Sequence, residues 1–123
     1  MKRSAYAKLT SEALVEAYVA IGMQQDRAIE SFDNRTFNRL YPRKRAIADE
    51  LKSRPGDQRT YLIPLLDHAN WQVRMNAANE LLAVLPVEAR ATLQAIADSK
   101  HYPHAGHAGM DLWALDRGIS PPT

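Results

Sequence analysis

Cysteine is absent from this sequence, which excludes a disulfide framework, thiol catalysis and any zinc site built on thiolates. The same absence suits a reducing compartment, and a cytoplasmic location is expected. Long apolar runs are also missing: no window approaches the roughly 20 apolar residues that a spanning helix needs. The basic start Met1-Lys2-Arg3 leads into Ser4-Ala5-Tyr6-Ala7-Lys8 and not into an apolar stretch, so no secretory leader is expected. Glycine is scarce, at 5 residues, and Gly106 and Gly109 are followed by no lysine, so no phosphate-cradling loop is present. There is no G-x-S-x-G elbow, and the serines sit at termini, caps and helix ends. Paired carboxylates such as Asp49-Glu50 are adjacent on what should be an exposed surface. No catalytic residues, cofactor or metal are expected.

What remains is ordinary globular material. With 123 residues, 46% hydrophobic and 24% charged, the chain can bury one modest core. The net charge of +2 does not by itself imply an acidic partner, but its distribution is uneven. Residues 1–60 hold 12 Lys/Arg against 8 Asp/Glu (+4), and residues 61–123 hold 4 against 6 (−2). Much of the excess lies in Arg35, Arg39, Arg43, Lys44 and Arg45, which reads either as a solvated helix face or as a binding patch.

Apolar residues recur every three to four positions, and no stretch alternates as a strand would. Leu14, Tyr18, Ile21, Gln25, Ala28, Ile29 and Phe32 share one face of a helix from Thr10 to Ser31, with Thr10 as N-cap and Leu9 and Leu14 as a hydrophobic staple. Asp33 can cap a second helix, with Phe32 and Phe37 as its staple. That helix carries Phe37, Leu40, Tyr41, Ile47 and Leu51, with a kink or break at Pro42, and stops at Arg54-Pro55-Gly56. A short third helix over Tyr61 to Leu66 contains Pro64, and Asn70 caps a fourth that buries Val73, Ala77, Ala78, Leu81 and Leu85. Pro86 opens a fifth, with Ala89, Leu93, Ile96 and Ala97 inward. A sixth, with Ala105, Ala108, Leu112 and Leu115, closes at Gly118. The expectation is a single all-α domain over 1–123: a capping hairpin at 10–54, a second hairpin at 57–85, a third at 86–118, and a tail at 119–123.

Residues 62 to 82, LIPLLDHANWQVRMNAANELL, resemble a HEAT repeat, in which a proline-bearing helix is followed by an aspartate, Val-Arg, paired alanines and a leucine. Pro64, Asp67, Val73, Arg74, Ala77, Ala78 and Leu81 occupy those places. The resemblance implies a HEAT-like α-α superhelix of about three hairpins, in which Asp67 and Arg74 meet across the turn. Helices five and six look like a degenerate copy, with His104-Ala105-Gly106-His107-Ala108-Gly109 replacing the Val-Arg and small-residue region. With the Arg54-Pro55-Gly56-Asp57 turn and Pro103-His104-Ala105-Gly106, the whole chain is also similar to an uncharacterised bacterial HEAT-like family, a domain of unknown function. That likeness implies fold and bacterial origin but no activity.

A HEAT-like stack works by binding, and a protein partner is the leading expectation, with no membrane and no small-molecule substrate. Toxin neutralisation by an immunity protein, or an adaptor role, are two concrete forms. The candidate contact residues are Arg35, Arg39, Arg43, Trp71, Gln72, Asn76, Asn79 and Trp113, since exposed tryptophan and arginine are favoured anchors and Gln72, Asn76 and Asn79 should face away from the core. The alternative is a nucleic acid, because some HEAT-like proteins are DNA glycosylases. Arg35, Arg39 and Arg43 at i, i+4, i+8 could track phosphates, and Trp71 and Trp113 could stack on bases. A third reading is a metal enzyme using His101, His104 and His107. HEAT-like iron hydroxylases carry His-Glu pairs, which this chain lacks, and a solvent-exposed histidine-rich turn fits these residues better.

Overall fold

Local capping chemistry sets where most of the helices begin. In the computed structural model, which describes residues 5–123, the Ala13 amide donates to Thr10 Oγ1 at 3.1 Å and opens α1, Ser11–Glu30. The Thr36 amide donates to Asp33 Oδ1 at 3.0 Å and opens α2, Asn34–Ser53. The Val73 amide donates to Asn70 Oδ1 at 3.1 Å and opens α3, Trp71–Leu81. Each cap satisfies an amide that has no partner within its helix. Pro86 stands in the first turn of α4, Pro86–Asp98, where a missing N–H costs nothing. The last helix, α5, covers His104–Asp116. Between α2 and α3 lies a 3-10 helix, η1, over Gln58–Asp67. The described residues are thus all-helical, with six helices and no strand. None of these helices is long and apolar enough to cross a membrane. Met1–Ser4, where the reading of the N-terminus begins, lie outside the described residues.

The chain forms two compact units, Met1–Tyr61 and Leu62–Thr123. In the first, α1 and α2 pack as a hairpin. Leu14, Tyr18, Ile21, Gln25 and Ala28 are buried on α1, as are Leu40, Ile47, Ala48 and Leu51 on α2. Arg54 locks the open end of this hairpin. Its guanidinium donates to Glu50 at 2.9 Å, to Ser11 Oγ at 3.0 Å and to the Leu9 carbonyl at 2.6 Å, while Ser11 Oγ donates to Gln58 Oε1.

Of the kink or break expected at Pro42 the break does not occur, and the Phe32–Phe37 staple does not form. α2 runs unbroken through Pro42. Pro42 and Asn38 are both exposed, so the Asn38 carbonyl that loses its helical donor can be hydrated. Phe32 forms no staple with Phe37. It is 90% exposed and sits at φ 56, closing α1 with the Phe32 amide donating to Ile29 O at 3.1 Å and the Asp33 amide to Ala28 O at 2.8 Å. That is a Schellman closure with phenylalanine at the left-handed position where glycine is usual, and the turn sends its ring outward.

In the second unit α4 packs against both α3 and α5. Val73, Ala77, Ala78 and Leu81 are fully buried, as are Ala89, Leu93, Ile96 and Ala108. The paired alanines present no bulk, so a neighbouring helix can approach closely. The segment expected as a short third helix belongs to η1, and the geometry follows from its apolar spacing. Leu62 and Leu65, both buried, are three apart, and three residues per turn stacks them on one line. Gly118 at φ 69 closes α5, with Gly118 N donating to Leu115 O and Ile119 N to Ala114 O, as its position in the sequence implies.

Candidate protein-contact surfaces

Helical periodicity divides α5 into two faces. Ala105, Ala108 and Leu112 are buried, which leaves Gly106, Met110, Trp113 and Arg117 together on the outer side. Trp113 is 48% and Met110 65% exposed. The Arg117 guanidinium lies over the Trp113 ring, 4.6 Å from its centroid, a cation–π contact that restrains the indole. At the other end the exposed ring of Tyr102 stands beside Gly106, whose Cβ, if present, would be 3.9 Å from Tyr102 Cδ1. Exposed Ile119 follows the C-terminal end. An apolar stripe with an arginine at one edge therefore runs along the outside of α5.

The charges flanking the stripe are fixed. Arg90 and Asp116 form a two-point ion pair, at 2.8 Å and 3.0 Å, between α4 and the end of α5. The Arg90 hydrogen bonds hold the Asp116 carboxyl below the usual aspartate range, and Arg117 adds to the effect. Asn79 donates to Asp111 at 2.9 Å, linking α3 to α5.

Trp71 is placed differently from Trp113. It is half-buried in a row of stacked groups: the Arg74 guanidinium 4.6 Å from its ring, His101 at 4.2 Å and 13°, then His104 5.3 Å from His101. Arg74 Nε donates to the His68 carbonyl at 3.0 Å. The expected Asp67–Arg74 contact is therefore replaced by a bond to the turn backbone, and Asp67 is exposed. Arg74 still ties the turn to α3, through a carbonyl and not a carboxylate.

The outward placement expected of the polar residues of α3 holds only for Asn79. Gln72 and Asn76 are buried, and Gln72 Nε2 donates to Asn76 Oδ1 at 2.9 Å. At four-residue spacing one amide donates to the other, which lets the pair lie inside the bundle, while Gln72 Oε1 is buried without a hydrogen bond. The exposed histidine-rich turn is likewise corrected: His101 and His107 are exposed, but His104 is buried beside His101. Among the described residues no three His, Asp or Glu side chains are grouped as metal ligands would be.

In the first unit Arg35, Arg39 and Arg43 are all exposed on α2, at i, i+4, i+8. Among the described residues none of the three makes a hydrogen bond or ion pair, whereas Arg45 pairs with Asp49 at 3.1 Å and Arg54 with Glu50 at 2.9 Å. Lys44 lies over the Tyr41 ring at 4.8 Å. Sequence reasoning found these arginines and Trp113, but it did not single out Met110 and Arg117. The signal was available, since 110, 113 and 117 are i, i+3, i+7 on a helix whose core face was already assigned.

The comparisons agree with this architecture. The crystal structure of the protein RPA1889 from Rhodopseudomonas palustris CGA009 is similar to this chain, with 44% identity and a TM-score of 0.93, over 98% of this chain and 100% of that one. No curated protein matches. A family model described as Domain of unknown function (DUF2019) matches residues 12–116, from the first turn of α1 to the last residue of α5. The chain therefore belongs to the DUF2019 family.

Proposed function

We propose that this protein is a non-enzymatic interaction module that docks a protein partner on the outer face of α5. The observation that carries the reading is Trp113, half exposed with the Arg117 guanidinium over its ring, three residues from exposed Met110. Tryptophan, methionine and arginine are the types enriched where partners bind. A rigid indole with a cation already over it loses little freedom on contact. An adaptor or an immunity protein that occludes a toxin would each use such a face.

The HEAT-like character of Leu62–Leu82 belongs to the same proposal. Pro64 within η1 and the buried Val73, Ala77, Ala78 and Leu81 support it, and the Arg74–His68 bond does the work assigned to Arg74–Asp67. The test is affinity capture with wild-type protein and W113A in parallel. Loss of one discrete partner by about tenfold or more, with the thermal midpoint unchanged, is the expected result. Capture that is indifferent to both Trp113 and Met110 would remove the reading.

The exposed arginines of α2 favour a second reading, attachment to a nucleic-acid backbone. Retention on heparin that falls steeply with added salt is the outcome that reading requires.

A further inference from the structure

Independently of the α5 surface, we infer that α2 carries a second docking site, built for an acidic α-helix of a protein partner whose carboxylates recur at i, i+4 and i+8. The argument begins with spacing. Arg35, Arg39 and Arg43 advance about 6 Å per step along α2, since each residue rises about 1.5 Å. Carboxylates four residues apart on a second helix advance by the same amount. Two such rows laid side by side stay in register over all three pairs. The guanidinium's fork of donors suits a carboxylate in two-point contact, and these three forks are not consumed by hydrogen bonds or ion pairs among the described residues.

The length of the row then selects the occupant. Asp33 precedes it, with its carboxyl held below the ordinary range by hydrogen bonds from Thr36 and by the nearby Arg39 and Arg35. Lys44, lying over the Tyr41 ring, and Arg45, paired with Asp49, come directly after it, and Asp49 and Glu50 follow, each engaged by an arginine of its own. A phosphodiester strand that continued past either end of the arginines would run onto carboxylates. A short acidic ridge ends where the arginines end. Three phosphate contacts also give weak attachment, with a salt slope of only about −3. Exposed Phe32, two residues ahead of α2, adds an apolar contact at one end that a protein surface can cover.

The test uses fluorescence anisotropy with three labelled probes: an alanine-rich helical peptide with Glu at i, i+4 and i+8, a peptide of the same composition with those Glu on different faces, and single- and double-stranded oligonucleotides of about 20 nucleotides. At roughly 50 mM salt the matched peptide is expected to bind about tenfold more tightly than the scrambled one. R35E/R39E/R43E is expected to lose that preference, and the same peptide with Lys for Glu is expected to bind the variant instead. Circular dichroism and the thermal midpoint check its fold, and R35Q/R39Q/R43Q replaces it if it does not fold. Equal affinity for the two peptides, or no binding of either, overturns the inference. So does tighter binding of an oligonucleotide that depends on the same arginines, which would assign the row to nucleic acid.

Discussion

At the scale of single residues, the outward phenylalanine at the end of α1 has a measurable cost. Phe32 holds φ 56 with 90% of its surface exposed, so it suffers the left-handed conformation without recovering it through burial. F32G should therefore stabilise the protein by about 1 kcal/mol in urea denaturation, the relief of left-handed strain being partly offset by glycine's greater freedom when unfolded. A loss of stability would mean that the ring makes contacts that its exposure denies. The helix end was legible here but the direction of the ring was not, because the left-handed conformation of Phe32 that closes α1 turns the ring outward.

Asp57 is a second residue with a directional prediction. Its carboxylate accepts from Arg59 Nε at 2.9 Å and Nη2 at 2.7 Å, and Arg59 is buried. These bonds, led by the Arg59 side chain, hold the Asp57 carboxyl below its ordinary 3.8. A depressed folded value contributes stability that is present above the unfolded value and lost as pH falls through the folded one. D57N should therefore cost about 1 kcal/mol at neutral pH, reduced by the carboxylate's partial exposure. The gap to wild type should close in acid below 3.8. A gap that persists unchanged into strong acid would contradict the assignment.

At the scale of elements, the close packing of the second unit depends on the small residues of α3. Ala77 and Ala78 are fully buried, so A78L should lower stability by about 1–3 kcal/mol through overpacking, measured as a drop in thermal midpoint. A78G removes volume instead, and should lose about 1 kcal/mol through helix propensity alone. A78L as stable as wild type would show that the helices are not held by close approach. Most helix boundaries were legible because caps are local: Thr10, Asp33 and Asn70 each bond to an amide three residues ahead, a fact written into adjacent residues. The inside of α3 was not. Whether Gln72 and Asn76 face solvent depends on what covers them and on the amide pair they form, and neither is visible in one helix's periodicity. The Asp67–Arg74 expectation failed for a related reason, since a carbonyl of the turn offers Arg74 an acceptor that no side-chain pattern encodes.

At the scale of the whole molecule, charge is divided between the halves, +4 over residues 1–60 and −2 over 61–123, and the two proposed surfaces differ accordingly. The arginine row of α2 is electrostatic, so its binding should weaken as salt is raised. The α5 stripe is apolar, so its binding should be nearly indifferent to salt. The order of the charged residues made the uneven charge legible, and the three-to-four-residue apolar spacing the all-helical class. The α5 stripe was legible only in part: the spacing of Met110, Trp113 and Arg117 opposite the core face was present, but the contact of Arg117 with the Trp113 ring was not.

The central claim, that a protein docks on α5, is tested most directly by a photo-crosslinking amino acid placed at exposed position 106, on the same face of α5 with Trp113 and Met110 left intact, in cells that express the chain naturally. A matched control at exposed Gln94 on α4 should give none of the products that matter. The account predicts one discrete protein adduct from position 106 that disappears when W113A is added. Adducts of the same pattern from both positions, none from position 106, or one that survives W113A, would contradict it.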